Sequence, residues 1–187
     1  MTGLIIVAIA IALVATLIAF GVLTRDKGVM TIAQWDPKRL PFTLIVEETL
    51  DGRRPQIREA LRWAVSWWNK ALDFEVFVPI GSVGLGDTIP VMTMDREGRA
   101  LALTRHTTND AGEILSAAVY VDLDLSAKVN RTELRRGLAH ELGHLLGLAH
   151  DDVTDSVMYS KATGSEPILT EADRALLITM YKGGSYA

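Results

Sequence analysis

The chain opens with an unbroken apolar run and continues as an alternation of short apolar and polar stretches. Nearly every residue from Gly3 to Leu23 is aliphatic, and the first 24 residues carry no charged side chain. About 20 such residues in a helix span the ~30 Å hydrocarbon core of a bilayer. The run therefore predicts one transmembrane helix over residues 1–24, acting as a signal anchor.

A cleaved signal peptide is the competing interpretation of this run. Signal peptides combine a basic n-region with an apolar stretch of about 7–15 residues, whereas here a longer run follows no Lys or Arg. The small-x-small triplet Ala19-Phe20-Gly21 still offers a cleavage site, after which the remainder would be secreted. A buried soluble helix is disfavoured because it would have no polar face.

Beyond the run, hydrophobic periodicity predicts a tether over residues 25–40 and one globular domain over residues 41–187. Short apolar or alternating stretches predict strands over residues 42–48, 74–80, 89–95, 99–106 and 116–125. Stripes with helical spacing predict helices over residues 56–72, from Asn130 through Leu145, and after an N-cap at Thr170. Because strands come early and two helices come late, we expect an α+β domain with a mixed sheet.

Two patterns within these elements invite functional interpretations, but structural ones explain them better. Trp63 and Trp67 widen the apolar stripe of the first helix and are expected in the core. Asp122 and Asp124 alternate with apolar residues and are expected on the solvated face of the last strand, not as a catalytic carboxylate pair.

The composition limits the classes of partner and of metal site that the chain can have. The net charge is −4 and no basic run is present, which argues against a nucleic-acid partner. The chain has no cysteine, which excludes disulfides and thiolate metal sites. Any metal must therefore be bound by histidines and carboxylates.

Three of the four histidines lie within residues 140–150. His140 and His144 are four residues apart on a predicted helix, so both imidazoles share one face and can share a metal. Gly147 tolerates the positive φ that ends a helix, which lets His150 return as a third ligand. Three protein ligands leave a coordination position open for water, as in catalytic zinc sites.

The residue after the first histidine supplies the remaining chemistry. Glu141 projects beside the ligand pair, where it can act as general base toward a zinc-activated water. A helix with ordinary surface histidines would explain neither Glu141 nor Gly147 nor His150. The pattern therefore predicts one catalytic Zn²⁺ held by His140, His144 and His150.

The motif His140-Glu141-x-x-His144-x-x-Gly147-x-x-His150 resembles the extended zinc motif of the metzincin metallopeptidases. The stretch from Ser156 to Tyr159 is similar to their Met-turn, with Met158 as the methionine, and the short gap is most similar to the matrixin branch. The resemblance implies a twisted, mostly parallel sheet with an antiparallel edge strand above the cleft. It also implies that Met158 lies under the zinc as an apolar floor.

By the same resemblance, a polypeptide substrate would bind in an extended conformation and pair with the edge strand around Leu101, Ala102, Leu103 and Thr104. Tyr159 would help to wall the pocket for the residue after the cut bond. Structural Ca²⁺ is common in such proteins, but scattered aspartates do not assign a site here.

The sequence also departs from matrixins. Asp151 and Ser160 replace their usual Ser and Pro. A second, structural zinc site is expected to be absent because only His106 remains for it, and His106 is expected at the surface. Without cysteine there is no cysteine-switch propeptide.

The main hypothesis is a membrane-anchored zinc endopeptidase with one lipid-embedded helix. The alternatives are a membrane-anchored binding or assembly protein with little turnover, which would not need Glu141, and a zinc hydrolase of a different bond. The oligomeric state is left open.

The membrane topology has two conflicting indications, because the positive-inside rule places the domain in the cytoplasm, whereas the resemblance implies export. We expect an extracytoplasmic domain. The basic residues that the rule counts all follow the apolar run and are Arg25, Lys27, Lys38 and Arg39.

Overall fold

A computed structural model describes residues 23–25, 28–30, 33–48, 55–94, 100–161 and 164–182. The predicted membrane helix lies outside these residues, except for Leu23 and Thr24 at its end. These two belong to a short strand, β1 (Leu23–Arg25), that pairs antiparallel with β2 (Gly28–Met30). Within the described ranges, no helix has the length and apolar character needed to cross a bilayer.

The main sheet has four strands in the order β3-β4-β6-β5. They are β3 (Thr43–Val46), β4 (Thr88–Met94), β5 (Ala102–Thr108) and β6 (Ile114–Asp122). Strands β3, β4 and β6 are parallel to one another, and β5 pairs antiparallel with β6 at the edge of the sheet. The predicted mixed sheet with an antiparallel edge strand is therefore confirmed.

Helices pack against this sheet and against one another. They are α1 (Pro55–Leu72), α2 (Leu123–Ser126), α3 (Arg131–Leu145) and α4 (Glu171–Leu177), the last continued by a π-helical turn over Ile178–Lys182. The predicted stripe of α1 is fully buried, while Trp63 and Trp67 are half-buried beside it. The long helix α3 contacts α1, β5 and β6, so it lies at the centre of the domain.

The segment over residues 74–80 is not the strand that its apolar residues predict. Val76 and Phe77 are fully buried, yet the segment makes only isolated bridges, from Phe77 to Phe42 and from Ile80 to Ser82. The side chain of Asn69 replaces a strand ladder: its oxygen accepts from the N–H groups of Val76 and Phe77, and its nitrogen donates to the carbonyl of Phe77. A side chain on α1 therefore satisfies backbone groups that a neighbouring strand would otherwise have to bind.

The prediction for the end of β6 is also wrong. Asp122 is 3% exposed, so it does not lie on a solvated strand face. Its carboxylate accepts from the N–H groups of Asp124 and Leu125 and so caps α2. A buried N-cap ends the strand at a position where the alternation of apolar residues would have continued it.

Part of the predicted tether belongs to the folded domain. Trp35 is 1% exposed, and the guanidinium of Arg39 lies 4.5 Å above its ring. Arg39 also pairs with Asp87 and donates to the carbonyls of Ile114 and Leu115, at 2.8 Å each. These contacts join the entering chain to the ends at which β4 and β6 begin.

We expect Asn69→Ala to lower the free energy of unfolding by about 2 kcal/mol or more, because it leaves buried N–H groups of residues 76 and 77 without an acceptor. Urea unfolding of both proteins would measure the difference. Ser66→Ala, at an exposed position of the same helix, is the matched control and should change stability by less than ~0.5 kcal/mol. Equal effects of the two substitutions would contradict the bridging role of Asn69.

Candidate active site

Helix α3 carries two histidines and a glutamate on a firmly held scaffold. Its start has a capping box, in which Asn130 accepts from the N–H of Glu133 and Glu133 accepts from the N–H of Asn130, each at 3.0 Å. Its apolar side is buried in the core through Leu134, Leu138, Leu142 and Leu145. This burial fixes the rotation of the helix and leaves His140 and His144 directed toward the cleft.

Two backbone carbonyls set the tautomers of these histidines. The Nδ1 of His140 lies 2.8 Å from the carbonyl oxygen of Val157, and the Nδ1 of His144 lies 2.8 Å from that of Leu148. A carbonyl can only accept, so each Nδ1 carries the hydrogen. In a neutral ring the Nε2 then has a free lone pair, which is the arrangement that metal-binding histidines adopt.

The three Nε2 atoms of His140, His144 and His150 converge at mutual distances of 3.1 Å. Among the described residues, this is the one group of three or more potential ligands that could hold an ion. In a tetrahedral site with Zn–N bonds of ~2.0–2.1 Å, ligand nitrogens lie about 3.3 Å apart. The observed spacing and the all-nitrogen ligand set therefore fit zinc.

Burial disfavours the charged form of two of the three imidazoles, those of His140 and His150. It lowers the pKa of His140 to about 4, against the opposing effect of the Val157 carbonyl, and the neighbouring histidines lower it further. Burial also lowers the pKa of His150, with a smaller contribution from His144. Neutral rings at physiological pH are the form that binds a metal.

The predicted turn at Gly147 is confirmed, and packing adds a second reason for glycine. Its φ is 93°, and a Cβ there would collide with the carbonyl oxygen of Ala33. The preceding helix end is capped by side chains: Trp35 Nε1 donates to the carbonyl of Leu145 at 2.7 Å, and the Tyr181 hydroxyl donates to that of Leu146 at 2.8 Å. The entering chain and the last helix therefore meet where the chain turns toward His150.

The Met-turn lies against α3. Met158 is fully buried, and a Cβ at Gly143 would collide with its sulfur, so the methionine packs directly on the helix backbone between the two histidine turns. The carbonyl of Met158 accepts from the N–H of Asp151 at 3.1 Å, which ties the turn to the residue after His150. Met158 is thus buried against the helix that carries two of the histidines, and its place beneath a bound zinc stays a prediction.

Sequence reasoning missed Arg136, which lies one turn before His140 and is 4% exposed. Its guanidinium donates to the carbonyls of Ser156 at 2.6 Å, Ser165 at 3.2 Å and Thr154 at 3.4 Å. It therefore ties the Met-turn loop to the helix that carries the ligands. The sequence signal that could have identified Arg136 is its position on the same helical face as His140.

Glu141 is 8% exposed and contacts the sheet edge. Its Oε2 accepts from the N–H of Thr104 at 2.6 Å, and the Thr104 hydroxyl donates to the Glu141 backbone carbonyl at 2.8 Å. Burial raises the pKa of the Glu141 carboxyl, and the neighbouring His144 and the bonds from Thr104 oppose that rise. The carboxylate is thus held beside the histidines with an oriented oxygen.

A cleft of about 570 Å³ runs along these residues, and its walls include Leu101, Ala102, Leu103 and Tyr159. The carbonyl of Leu101, just before β5, accepts from the N–H of Asp122 on β6, so Leu101 and Leu103 direct their backbone groups inward, toward β6. The backbone groups of Ala102 and Thr104 point outward, away from β6. Of the four predicted pairing residues, two therefore present their backbone to the open edge.

Two further residues in or next to β5 have defined places in the structure. Leu101 packs over α3 at Gly137, where a Cβ would lie 2.6 Å from Leu101 Cδ2. His106 lies on β5 and is exposed, as predicted.

The family model described as Matrixin matches residues 34–182 of the chain. The match begins within the segment that Trp35 and Arg39 attach to the domain and ends at the last described residue. No curated protein matches the chain.

We expect the metal-free protein, prepared with a chelator, to lose stability as the pH falls from about 6.5 to about 4. In this window an unfolded His140 binds a proton that the folded protein does not bind, so the free energy of unfolding decreases with falling pH. Urea unfolding across this range should show a loss of up to about 3 kcal/mol. His140→Asn should flatten this part of the profile, and identical slopes for the two proteins would contradict the assignment.

Proposed function

We propose that this zinc metalloendopeptidase, which belongs to the matrixin family, uses Glu141 as its general base and is held at a membrane by its N-terminal apolar segment. One observation supports the catalytic part of this proposal: the Nε2 atoms of the three histidines converge beside the buried carboxylate of Glu141. A protein that only bound a metal would not need that carboxylate.

Zinc bound by the three imidazoles lowers the pKa of water toward ~7 and polarises a carbonyl. Glu141 accepts a proton from the attacking water while the water oxygen bonds to the scissile carbonyl carbon. Glu141 then donates that proton to the nitrogen of the leaving amine as the C–N bond breaks. The N–H of Thr104 fixes one carboxylate oxygen, which leaves the other free for these transfers.

The substrate would lie along β5 as an extended strand. Because the N–H of Thr104 is already bound to Glu141, the outward groups left for pairing are the carbonyl of Thr104 and both backbone groups of Ala102. Leu103 would contribute its partly exposed side chain and not its backbone. Tyr159, Ser160 and Lys161 line the opposite part of the cleft, where Tyr159 would wall the pocket for the residue after the cut bond. Met158 would serve as the apolar floor.

The length and lack of charge of residues 1–24 support the anchor. We propose that the domain lies on the extracytoplasmic side. A polypeptide substrate near the membrane would then be cut by a domain that cannot diffuse away from it.

The catalytic proposal predicts that Glu141→Gln lowers kcat on a peptide library by about 10³-fold while zinc content is unchanged, because the amide cannot accept the water proton. The full chain in detergent is the sample, and bound metal is measured alongside turnover. Glu75→Gln, an exposed position far along the chain, is the matched control. A chelator should abolish the parent activity and added zinc should restore it. Unchanged turnover of Glu141→Gln would refute the role of Glu141.

The topology proposal predicts that a protease added to the extracytoplasmic face of sealed, oriented vesicles degrades the domain. The same protease added to the cytoplasmic face should leave the domain intact until detergent opens the vesicles. The opposite pattern would place the domain in the cytoplasm, as the basic residues after the apolar run suggest.

A further inference from the structure

The loop over residues 81–87, called here the glycine loop, has an unusual tip. Leu85 is 105% exposed and Val83 is 86% exposed, whereas the other exposed large apolar side chains of the described residues do not exceed 51%. We propose that the glycine loop inserts Val83 and Leu85 into the surface of an anionic bilayer, the same bilayer that holds the N-terminal segment. This inference rests on the membrane anchor of the proposed function.

The exposure of the tip is built into the fold. The N–H of Gly84, between the two apolar residues, donates to the Thr43 hydroxyl at 3.0 Å. A Cβ at Gly86 would collide with the carbonyl oxygens of Arg39 and Pro41, so the loop backbone lies directly on the entering chain. With the glycines held inward, the side chains between them point to solvent.

The glycine loop also lies beside the point where the chain enters the domain. Asp87 donates its N–H to the carbonyl of Arg39 at 2.9 Å and accepts from Thr43 at 2.8 Å. These contacts lie at the ends where β3 and β4 begin. A bilayer close to the entering chain would therefore be close to the tip.

Chain length brings the bilayer close. Leu23, the last residue of the apolar run, pairs with Met30 across the β1–β2 hairpin. As partners in paired strands, Leu23 and Met30 lie about 5 Å apart. Each of the three further residues from Met30 to Ala33 adds at most ~3.6 Å, so Ala33 lies within about 16 Å of Leu23. The domain therefore cannot move far from the membrane, and the face that carries the entering chain must be near it.

The charges around the tip fit an anionic surface. The loop contains one charged residue, Asp87, and Arg39 pairs with it. The exposed Lys38 precedes this pair, and the guanidinium of Arg58 lies beside Gly81. An apolar tip with basic neighbours is the composition of surfaces that bind anionic headgroups and insert shallowly below them.

The absence of cysteine in the chain allows a single-site test. Leu85→Cys in the full chain is labelled with an environment-sensitive fluorophore and reconstituted in vesicles of phosphatidylcholine and phosphatidylglycerol. Ala127→Cys is the matched control, because it is exposed and lies just beyond α2, at the opposite end of the sheet. We expect iodide quenching at position 85 to be at least about threefold weaker than at 127, and lipid-borne quenchers to act on 85 alone.

A second reporter separates insertion from a local effect of the label. Ser82→Cys should also be protected from iodide, and adding Val83→Asp and Leu85→Asp should restore its access. If the chain floats with the vesicles but position 85 is as accessible as 127, docking is refuted and the anchor stands. If the chain does not float, both the anchor and the docking fail, while peptidase activity in detergent still reports separately on Glu141. Protection that needs no lipid and rises with protein concentration would mean that a second copy covers the tip, and would also overturn the proposal.

Discussion

Three nitrogen lone pairs that face one another at 3.1 Å repel, and the surrounding structure must hold them together against that repulsion. Each main constraint around them serves this purpose. The carbonyls of Val157 and Leu148 fix the rings of His140 and His144, and the turn at Gly147 returns His150. The rest of the domain keeps those carbonyls in place, because the loop that supplies Val157 is tied to α3 by Arg136.

The proposed general base, Glu141, and the proposed substrate strand, β5, are physically connected. Thr104 binds both the carboxylate and the backbone carbonyl of Glu141, so the edge of the sheet and the active-site helix are held in one register. A shift of β5 would move the carboxylate as well as the pairing edge. In the proposed mechanism, substrate binding and proton transfer would therefore be coupled through Thr104, which the zinc motif does not contain.

The site could be predicted from the sequence because its information is local. The spacing of His140, His144 and His150 needs only helix geometry and one glycine, and the confirmed edge strand followed from resemblance. The errors share a different cause. Asn69 replaces a strand ladder, Asp122 caps a helix inside the domain, and Trp35 binds a helix end 110 residues away. These are long-range or side-chain hydrogen bonds, which hydrophobic periodicity does not report.

The capped end of α3 has a mechanical consequence. Trp35 joins the last turn of the ligand helix to the chain that arrives from the N-terminal segment, and Tyr181 accepts from the N–H of Trp35 while it donates to the neighbouring carbonyl. Tension applied to the N-terminal segment would act first on Gln34, which is hydrogen-bonded to Ile114 at the start of β6, and then through Trp35 on the turn between His144 and His150. The geometry of the three histidines is therefore linked mechanically to the chain that enters the domain.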